Sequence, residues 1–317
     1  MKEIIQLWHN HQESWFKIAT VNLDHLKDHE VMVNSSHSLV STGTERLVLT
    51  SKLDPITRER MAFPLMKGSF DADFTYGYSL TGVIEHGPSD LLGKCVHMLH
   101  PHQSAAQVSM DDVTLIPERF LKKGVFISNL ETVINALWDA NLSLGDTVLI
   151  IGYGTIGSLL LQIVRHMPGI TVQVMDKDED KEKLAAPYIK GDASGSYDVV
   201  FHTTASSEGL QYGIDHLRKE GKLIEMSWFG SQKAEVSLGA SFHYDRKTII
   251  SSQVSSIPHG KTANWNFEKR KQLAISFLDM IDIDQLIQQE IPFSASAKFF
   301  NKLRKSEINK SGTLITY

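Results

Sequence analysis

The spacing of apolar residues changes character near residue 121. Before it, short β-prone runs are separated by turns and loops: Ile4–Trp8, Phe16–Val21, Glu30–Asn34, Leu80–His86, Lys94–Leu99 and Ala106–Ser109. Helical spacing is scarce there apart from a short segment over Pro55–Met61. Residues 52–76 form a connection longer than compact domains keep without a use for it. Over 121–143 the helical period takes over, with Leu130, Val133, Ile134 and Leu137 on one face. Strand and helix patterns alternate from there. Strands are predicted at 147–151, 171–175, 197–202, 221–226 and 247–252. Helices are predicted at 155–166, 178–186 and 207–218, with a short one near 240. The tail shows helical pattern at 267–280 and at about 294–304, and Gly312–Tyr317 reads as a closing strand.

Alternation of this kind predicts an α/β protein with a parallel, doubly wound sheet behind a β-rich first domain. A chain of 317 residues is long enough for two domains. Apolar and charged fractions of 42% and 22% are those of a soluble globular protein. The net charge of −5 is spread over interspersed acids and bases, which leaves no basic face for nucleic acid. No apolar stretch approaches the roughly 20 residues that cross a bilayer. The start, Met-Lys-Glu-Ile-Ile-Gln, is too polar for a signal peptide. Cys95, the one cysteine, excludes an internal disulfide and a zinc site built on several thiolates. A cytoplasmic enzyme acting on a small molecule is expected.

The chemistry is concentrated at residues 145–157. Val148, Leu149, Ile150 and Ile151 suit a strand buried on both faces. Gly152, Gly154 and Gly157 follow in the spacing G-x-G-x-x-G, and Leu159, Leu160, Ile163 and Val164 open an apolar helix. In such a turn the first glycine permits the bend, the second admits a pyrophosphate, and the third lets helix pack on strand. N–H groups around Thr155 and Ile156, at the positive end of the helix dipole, then face the phosphates. A second apolar strand, Val172–Met175, ends at Asp176, 19 residues after Gly157. An acid there accepts hydrogen bonds from an adenosine ribose and repels a 2′-phosphate, so NAD(H) is favoured over NADP(H). Lys177 and Lys181 lie close enough to take a phosphate instead. Further cofactor contacts are expected at the carboxyl ends of later strands, from Thr203, Thr204, Ser227, Trp228, Ser252 and Gln253.

Several segments carry a resemblance that runs the length of the chain. They are Ser41-Thr42-Gly43-Thr44-Glu45-Arg46, Tyr76-Gly77-Tyr78-Ser79-Leu80-Thr81-Gly82, His100-Pro101-His102-Gln103, Asn129-Leu130-Glu131-Thr132 through Asp139, and Ser252-Gln253-Val254. With the β-rich start, the middle Rossmann unit and the returning tail, they resemble the medium-chain dehydrogenase/reductase superfamily. The branch they are similar to lacks zinc ligands, and the Ser-Thr-Gly-Thr-Glu segment is similar to bacteriochlorophyllide a dehydrogenases. The resemblance implies a GroES-like catalytic domain over 1–120, a Rossmann domain over 121–257, and a return to the catalytic domain over 258–317. It also implies a homodimer.

Zinc-using relatives carry their ligands at positions that correspond here to Thr42, Tyr78 and Ser128. None of these is a thiolate, imidazole or carboxylate, so no catalytic zinc is expected. His97, His100 and His102 fall on no single strand or helix face and are expected to pack or hydrogen-bond. Without metal, the oxygen of a reacting carbonyl needs hydrogen-bond donors in a dry pocket. The resemblance places Thr44 where relatives carry a proton-relay hydroxyl, and Tyr78 where they carry a histidine ligand. Tyr78 is the candidate proton donor, His102 a further relay candidate, and Glu45 an orienting group beside them. The reading is an NAD(H)-dependent interconversion of a secondary alcohol and a ketone. A reductase of quinones or enones and a non-catalytic dinucleotide sensor stay open beside it. Arg46, Lys52, Arg58, Arg60 and Lys67 hint at an anionic substrate, offset by Asp54 and Glu59.

Overall fold

Val31, Val33, Leu80, Ile84, Val96, Met98, Ala106 and Val108 form one buried apolar cluster. The strand alternation that points them inward builds the first of two large sheets. These assignments come from a computed structural model that describes residues 1–50, 53–63, 65–189, 195–308 and 310–317. The chain divides into two units, Met1–Ser128 with Ile287–Tyr317, and Asn129–Leu286.

The first unit holds strands β1 (Lys2–His9), β2 (Ser14–Val21), β3 (Glu30–Val40), β4 (Leu80–His86), β5 (Cys95–Met98), β6 (Ala105–Ser109) and β7 (Val113–Ile116). The second holds β8 (Thr147–Ile151), β9 (Thr171–Met175), β10 (Tyr197–His202), β11 (Leu217–Glu225) and β12 (Thr248–Ser251). The chain then returns to the first unit with β13 (Gln289–Pro292) and β14 (Thr313–Thr316). Helices of seven residues or more are α1 (Thr42–Thr50), α2 (Pro55–Met61), α3 (Ile127–Ala140), α4 (Thr155–Val164), α5 (Glu179–Ala185), α6 (Ser207–Asp215), α7 (Phe267–Phe277) and α8 (Ser296–Arg304). Among the described residues no helix is long and apolar enough to cross a membrane.

In the first unit the sheet order is β13-β14-β3-β4-β5-β7, with β6 also paired to β3, and β1 and β2 form a separate antiparallel pair. The closing strand β14 lies antiparallel to β3, which brings Thr316 opposite His37. In the second unit five parallel strands run in the order β12-β11-β10-β8-β9. The chain passes from β8 to β9 on one side and then crosses back to β10 on the other. That reversal makes the carboxyl ends of β8 and β10 the ligand-binding position of an open parallel sheet.

Several features differ from the sequence expectation, among them β11, which begins at Leu217 where helix was expected to run to 218. β3 runs on to Val40 instead of ending at Asn34, because Leu39 and Val40 pair with β14. α1 is missing from the expectation, since threonines and glycine are weak helix formers. Glu45 stabilises it by accepting the Ser41 N–H at 2.7 Å, a capping box lengthened by one residue. β7 and β13, four residues each, are also missing from the expectation. Residues 258–286 fold with the second unit and not with the returning tail. Arg270 of α7 explains this, being buried with Nη1 donating to Asn135 Oδ1 at 2.8 Å and Nε to Glu131 Oε1 at 3.3 Å.

Candidate active site

The glycine turn follows β8 as the spacing predicts. Gly152 has φ +101°, a backbone that L side chains rarely adopt. A Cβ on Gly157 would lie 1.8 Å from Gly152 O, so only glycine lets α4 pack this closely on the turn. At Gly154 a Cβ would meet nothing within 4 Å, which leaves open space at the start of α4. No side chain caps this helix, so its first N–H groups, those of Thr155 and Ile156 among them, are offered to a ligand. The turn is tied down on both sides. Gly152 N donates to Met175 O at 2.8 Å, and Tyr153 N donates to Asp176 Oδ2 at 2.7 Å. Asp176 Oδ1 accepts the Asp178 N–H at 3.0 Å, so the carboxylate is fixed at the end of β9 with lone pairs to spare. Lys177 beside it is exposed. These residues fit a dinucleotide.

The other expected cofactor residues sit at carboxyl ends of β10, β11 and β12. Thr203 braces the turn, its hydroxyl donating to Ile151 O at 2.9 Å and reaching Gly152 O at 3.2 Å. Thr204 Oγ1 is 2.7 Å from His202 Nε2. Ser227 N donates to Glu225 Oε1, and Trp228 is half-buried. Ser252 N donates to Glu225 O, and the Gln253 carbonyl accepts from Asn135 Nδ2 at 3.2 Å.

In the first unit Tyr78 stands just ahead of β4, with its ring stacked on Phe63 at 5.1 Å. Burial pushes its phenol up to about 12, against hydrogen bonds with the Ser41 and Thr44 hydroxyls that pull it down. Ser128 Oγ donates to the Tyr78 carbonyl at 3.1 Å and lies 3.2 Å from His97 Nε2. Thr42 Oγ1 is buried without a hydrogen-bond partner. The fold thus gathers Tyr78, Thr44 and Ser128 in one neighbourhood, with Ser41 as a residue the sequence reading missed. Its hydroxyl beside Thr42 was the available signal.

His102 and Glu45 meet as a buried pair, Nε2 to Oε2 at 3.1 Å. His102 Nδ1 lies 2.7 Å from Ser38 Oγ, which is 2.9 Å from the Tyr317 hydroxyl. Gly77, at φ +129°, makes room for this histidine, since a Cβ there would stand 3.0 Å from its ring. His100 is buried against the Pro101 carbonyl at 2.9 Å, and burial pulls its imidazole down to about 4. Ser38 and Tyr317 left no trace in the sequence as site residues.

Among the described residues no three His, Cys, Asp or Glu side chains are grouped to hold a metal ion. The hydroxyls of Thr42, Tyr78 and Ser128 do not make a zinc donor set, because zinc takes thiolate, imidazole or carboxylate. Of the basic residues near 46–67, Arg58 is occupied by Asp71 and the Leu53 carbonyl, while Arg46, Arg60 and Lys67 are exposed. Lys52 lies outside the described residues. A concavity of about 280 Å³ is lined by Arg58, Phe63, Met66 and Phe70, on the ring that stacks on Tyr78. A larger one of about 530 Å³, beside Trp265 and Glu268, contains none of the candidate chemistry.

No protein-family model matches the chain. Glucose 1-dehydrogenase 2 of Vulcanisaeta moutnovskia is 23% identical over 232 residues, covering 66% of this chain and 64% of that protein. D-arabitol-phosphate dehydrogenase of Enterococcus avium is 22% identical over 213 residues, covering 61% and 58%. The chain therefore matches less than two thirds of the length of either curated relative. Solved structures match from end to end. L-idonate 5-dehydrogenase of Escherichia coli superposes with a TM-score of 0.78 at 13% identity, covering 100% of this chain and 99% of that one. The fold is that of the medium-chain dehydrogenases. In this medium-chain fold the second unit is the Rossmann part and the first is the GroES-like part. Two further structures of the fold carry cofactors. A zinc-binding-dehydrogenase-type protein of Sinorhizobium meliloti is bound to NADP, with a TM-score of 0.77, 14% identity and 100% of both chains covered. An alcohol dehydrogenase of Escherichia coli is complexed with NADH, with a TM-score of 0.74, 15% identity and 100% of both chains covered.

Proposed function

We propose that the protein is an NAD(H)-dependent oxidoreductase that interconverts a secondary alcohol and a ketone without a catalytic zinc ion. One observation carries this reading: the Tyr78 phenol, its ring stacked on Phe63 at 5.1 Å, is kept protonated by burial where the Ser41 and Thr44 hydroxyls hydrogen-bond to it. Relatives named for glucose, arabitol phosphate and idonate support an alcohol of the sugar or polyol class.

The nicotinamide, when bound, supplies or accepts the hydride. Gly154 leaves room for the pyrophosphate beside the N–H groups of Thr155 and Ile156. Asp176 accepts from the adenosine ribose hydroxyls, and its charge selects NAD(H) although the fold elsewhere takes NADP as well. Lys177, Thr203, Thr204, Ser227, Trp228, Ser252 and Gln253 complete the cofactor contacts. In ketone reduction Tyr78 gives its proton to the carbonyl oxygen as negative charge develops there. Ser41 and Thr44 orient the phenol, and Thr44 relays the replacement proton. Glu45 and His102 hold the start of α1, with the Ser41 hydroxyl just before the helix and that of Thr44 in its first turn. Pushed up to about 12, the phenol is in its protonated form at neutral pH, the form a proton donor needs. A homodimer joined along β12, at the edge of the Rossmann sheet, belongs to the same reading.

The test combines zinc analysis, NADH oxidation with panels of ketones, enones and quinones, and the substitution Tyr78→Phe. Ketone reduction is expected to fall by about 10²-fold or more in the variant. Undiminished turnover, or turnover that tracks stoichiometric zinc, would overturn the zinc-free mechanism. Preference for enones would move the reading to a double-bond reductase, and binding without any turnover to a sensor.

A further inference from the structure

His202 and Glu225, in the second unit, stand behind two of the cofactor contacts named above and have no place yet in that chemistry. His202, at the end of β10, is fully buried, and each of its ring nitrogens has a partner at 2.7 Å. Nδ1 faces Glu225 Oε2 and Nε2 faces Thr204 Oγ1. The other carboxylate oxygen, Oε1, accepts the Ser227 N–H at 2.7 Å. Ser227 Oγ is 3.3 Å from Nδ1 and donates to the His202 carbonyl at 3.2 Å. Thr204 Oγ1 is also 3.0 Å from Ser206 Oγ, which accepts the Gly209 N–H at 3.1 Å. Gly209 allows this crowding, since a Cβ there would lie 2.7 Å from Thr204 Oγ1 and 3.0 Å from Nε2. Thr204 itself is exposed, and it abuts the dinucleotide turn: a Cβ on Gly152 would stand 2.7 Å from its methyl.

The directions of these hydrogen bonds follow from the groups. A carboxylate only accepts, so Nδ1 carries a ring hydrogen, and with one hydrogen on the ring Nε2 accepts. The single hydroxyl hydrogen of Thr204 is thereby committed to Nε2. Ser206, with its oxygen taken by Gly209 N–H, has its own hydrogen to give to Thr204. What Thr204 offers outward is one lone pair and no donor. A pyrophosphate oxygen, itself an acceptor, finds nothing to bind there, whereas a ribose hydroxyl does.

We infer that Thr204 is an acceptor-only contact for a ribose hydroxyl of the bound dinucleotide, with Glu225 and His202 as positioning residues that set its polarity. This rests on the dinucleotide reading of the second unit. Glu225→Gln tests the polarity directly. The Ser227 N–H is a fixed donor, so the glutamine oxygen stays on it and the amide NH₂ turns to Nδ1. The ring hydrogen then moves to Nε2, occupies the Thr204 lone pair and removes the acceptor.

The experiment titrates the full-length protein with NADH, read by cofactor fluorescence. Thr204→Val keeps the methyl against Gly152 and loses the acceptor; it is expected to weaken NADH binding by about three- to ten-fold. Glu225→Gln is expected to weaken it similarly, and the double variant no further than either single one. Thr204→Ser is expected to bind within about two-fold of wild type, which separates the hydroxyl from packing. Long-range ¹H–¹⁵N spectra are expected to show the His202 hydrogen on Nδ1 in the wild type and on Nε2 in Glu225→Gln. Unchanged NADH binding in Thr204→Val with an unchanged melting temperature, or an Nε2–H in the wild type, overturns the inference and leaves the dinucleotide reading intact. A wild-type protein that binds neither NADH nor NADPH overturns that reading, and the inference with it.

Discussion

His102 Nε2 lies 3.1 Å from Glu45 Oε2, and both side chains are closed off from solvent at 0% and 2% exposure. A carboxylate in that position needs every hydrogen bond it can obtain. It has two, from the imidazole and from the Ser41 N–H at the start of α1. Glu45 therefore couples the helix that presents Thr44 to His102, in the connection between β5 and β6, and through Ser38 to Tyr317.

Removing one member of this pair leaves the other buried and unpaired. His102→Ala is expected to destabilise the protein by about 3 kcal/mol or more. Denaturant melts followed by circular dichroism measure it. A loss below about 1 kcal/mol would place the pair among solvent-screened contacts, contrary to its burial.

Two glycines of the same turn are expected to part company. Gly157→Ala drives a methyl into the Gly152 carbonyl and is expected to lower the melting temperature sharply or prevent folding. Gly154→Ala meets only open space, so stability is expected to stay within about 1 kcal/mol while NADH binding weakens. Thermal melts and cofactor titration on both variants separate packing from binding.

Asp176→Ser removes the charge opposed to a 2′-phosphate. The ratio of NADPH to NADH affinity is expected to rise by about ten-fold or more, the scale of a charge-assisted hydrogen bond. The melting temperature should fall modestly, because Asp176 also accepts the N–H groups of Tyr153 and Asp178.

Alkaline pH should unfold the protein. Burial raises the phenols of Tyr76, Tyr78 and Tyr317 above the usual tyrosine range, Tyr78 to about 12. Above about pH 10 the unfolded chain releases protons that the folded chain retains. Their contribution is complete below pH 10 and is lost as pH rises through the folded values. Melting temperatures are expected to fall from about pH 10 upward, less steeply in Tyr78→Phe, with tyrosinate absorbance rising in the same transition.

The Rossmann strands at 147–151, 171–175 and 197–202 were legible to the residue, and helix α2 was expected near its observed place at 55–61. Each is announced by its own residues: an apolar run, or Asp54 capping the N–H groups of Ile56 and Thr57 with Pro55 behind it. α1 was not legible, since its stability comes from Glu45 and from burial of Val48 and Leu49 more than from propensity. The attachment of 258–286 to the second unit was equally hidden. It depends on Arg270 finding Glu131 and Asn135, well over a hundred positions back along the chain.

By itself the amino-acid sequence determined the strand, the glycine turn, the helix and the acid that follows them. All of that information lies within about 30 consecutive residues, and local backbone sterics act over that range. Tertiary structure alone decided what surrounds Tyr78 and His102. Glu45 meets His102 across 57 residues, Ser38 meets His102 across 64, and Tyr317 meets Ser38 across 279. Such partners are chosen by the register of β14 on β3 and by burial, which forces each enclosed polar group to find a hydrogen bond wherever the fold places one.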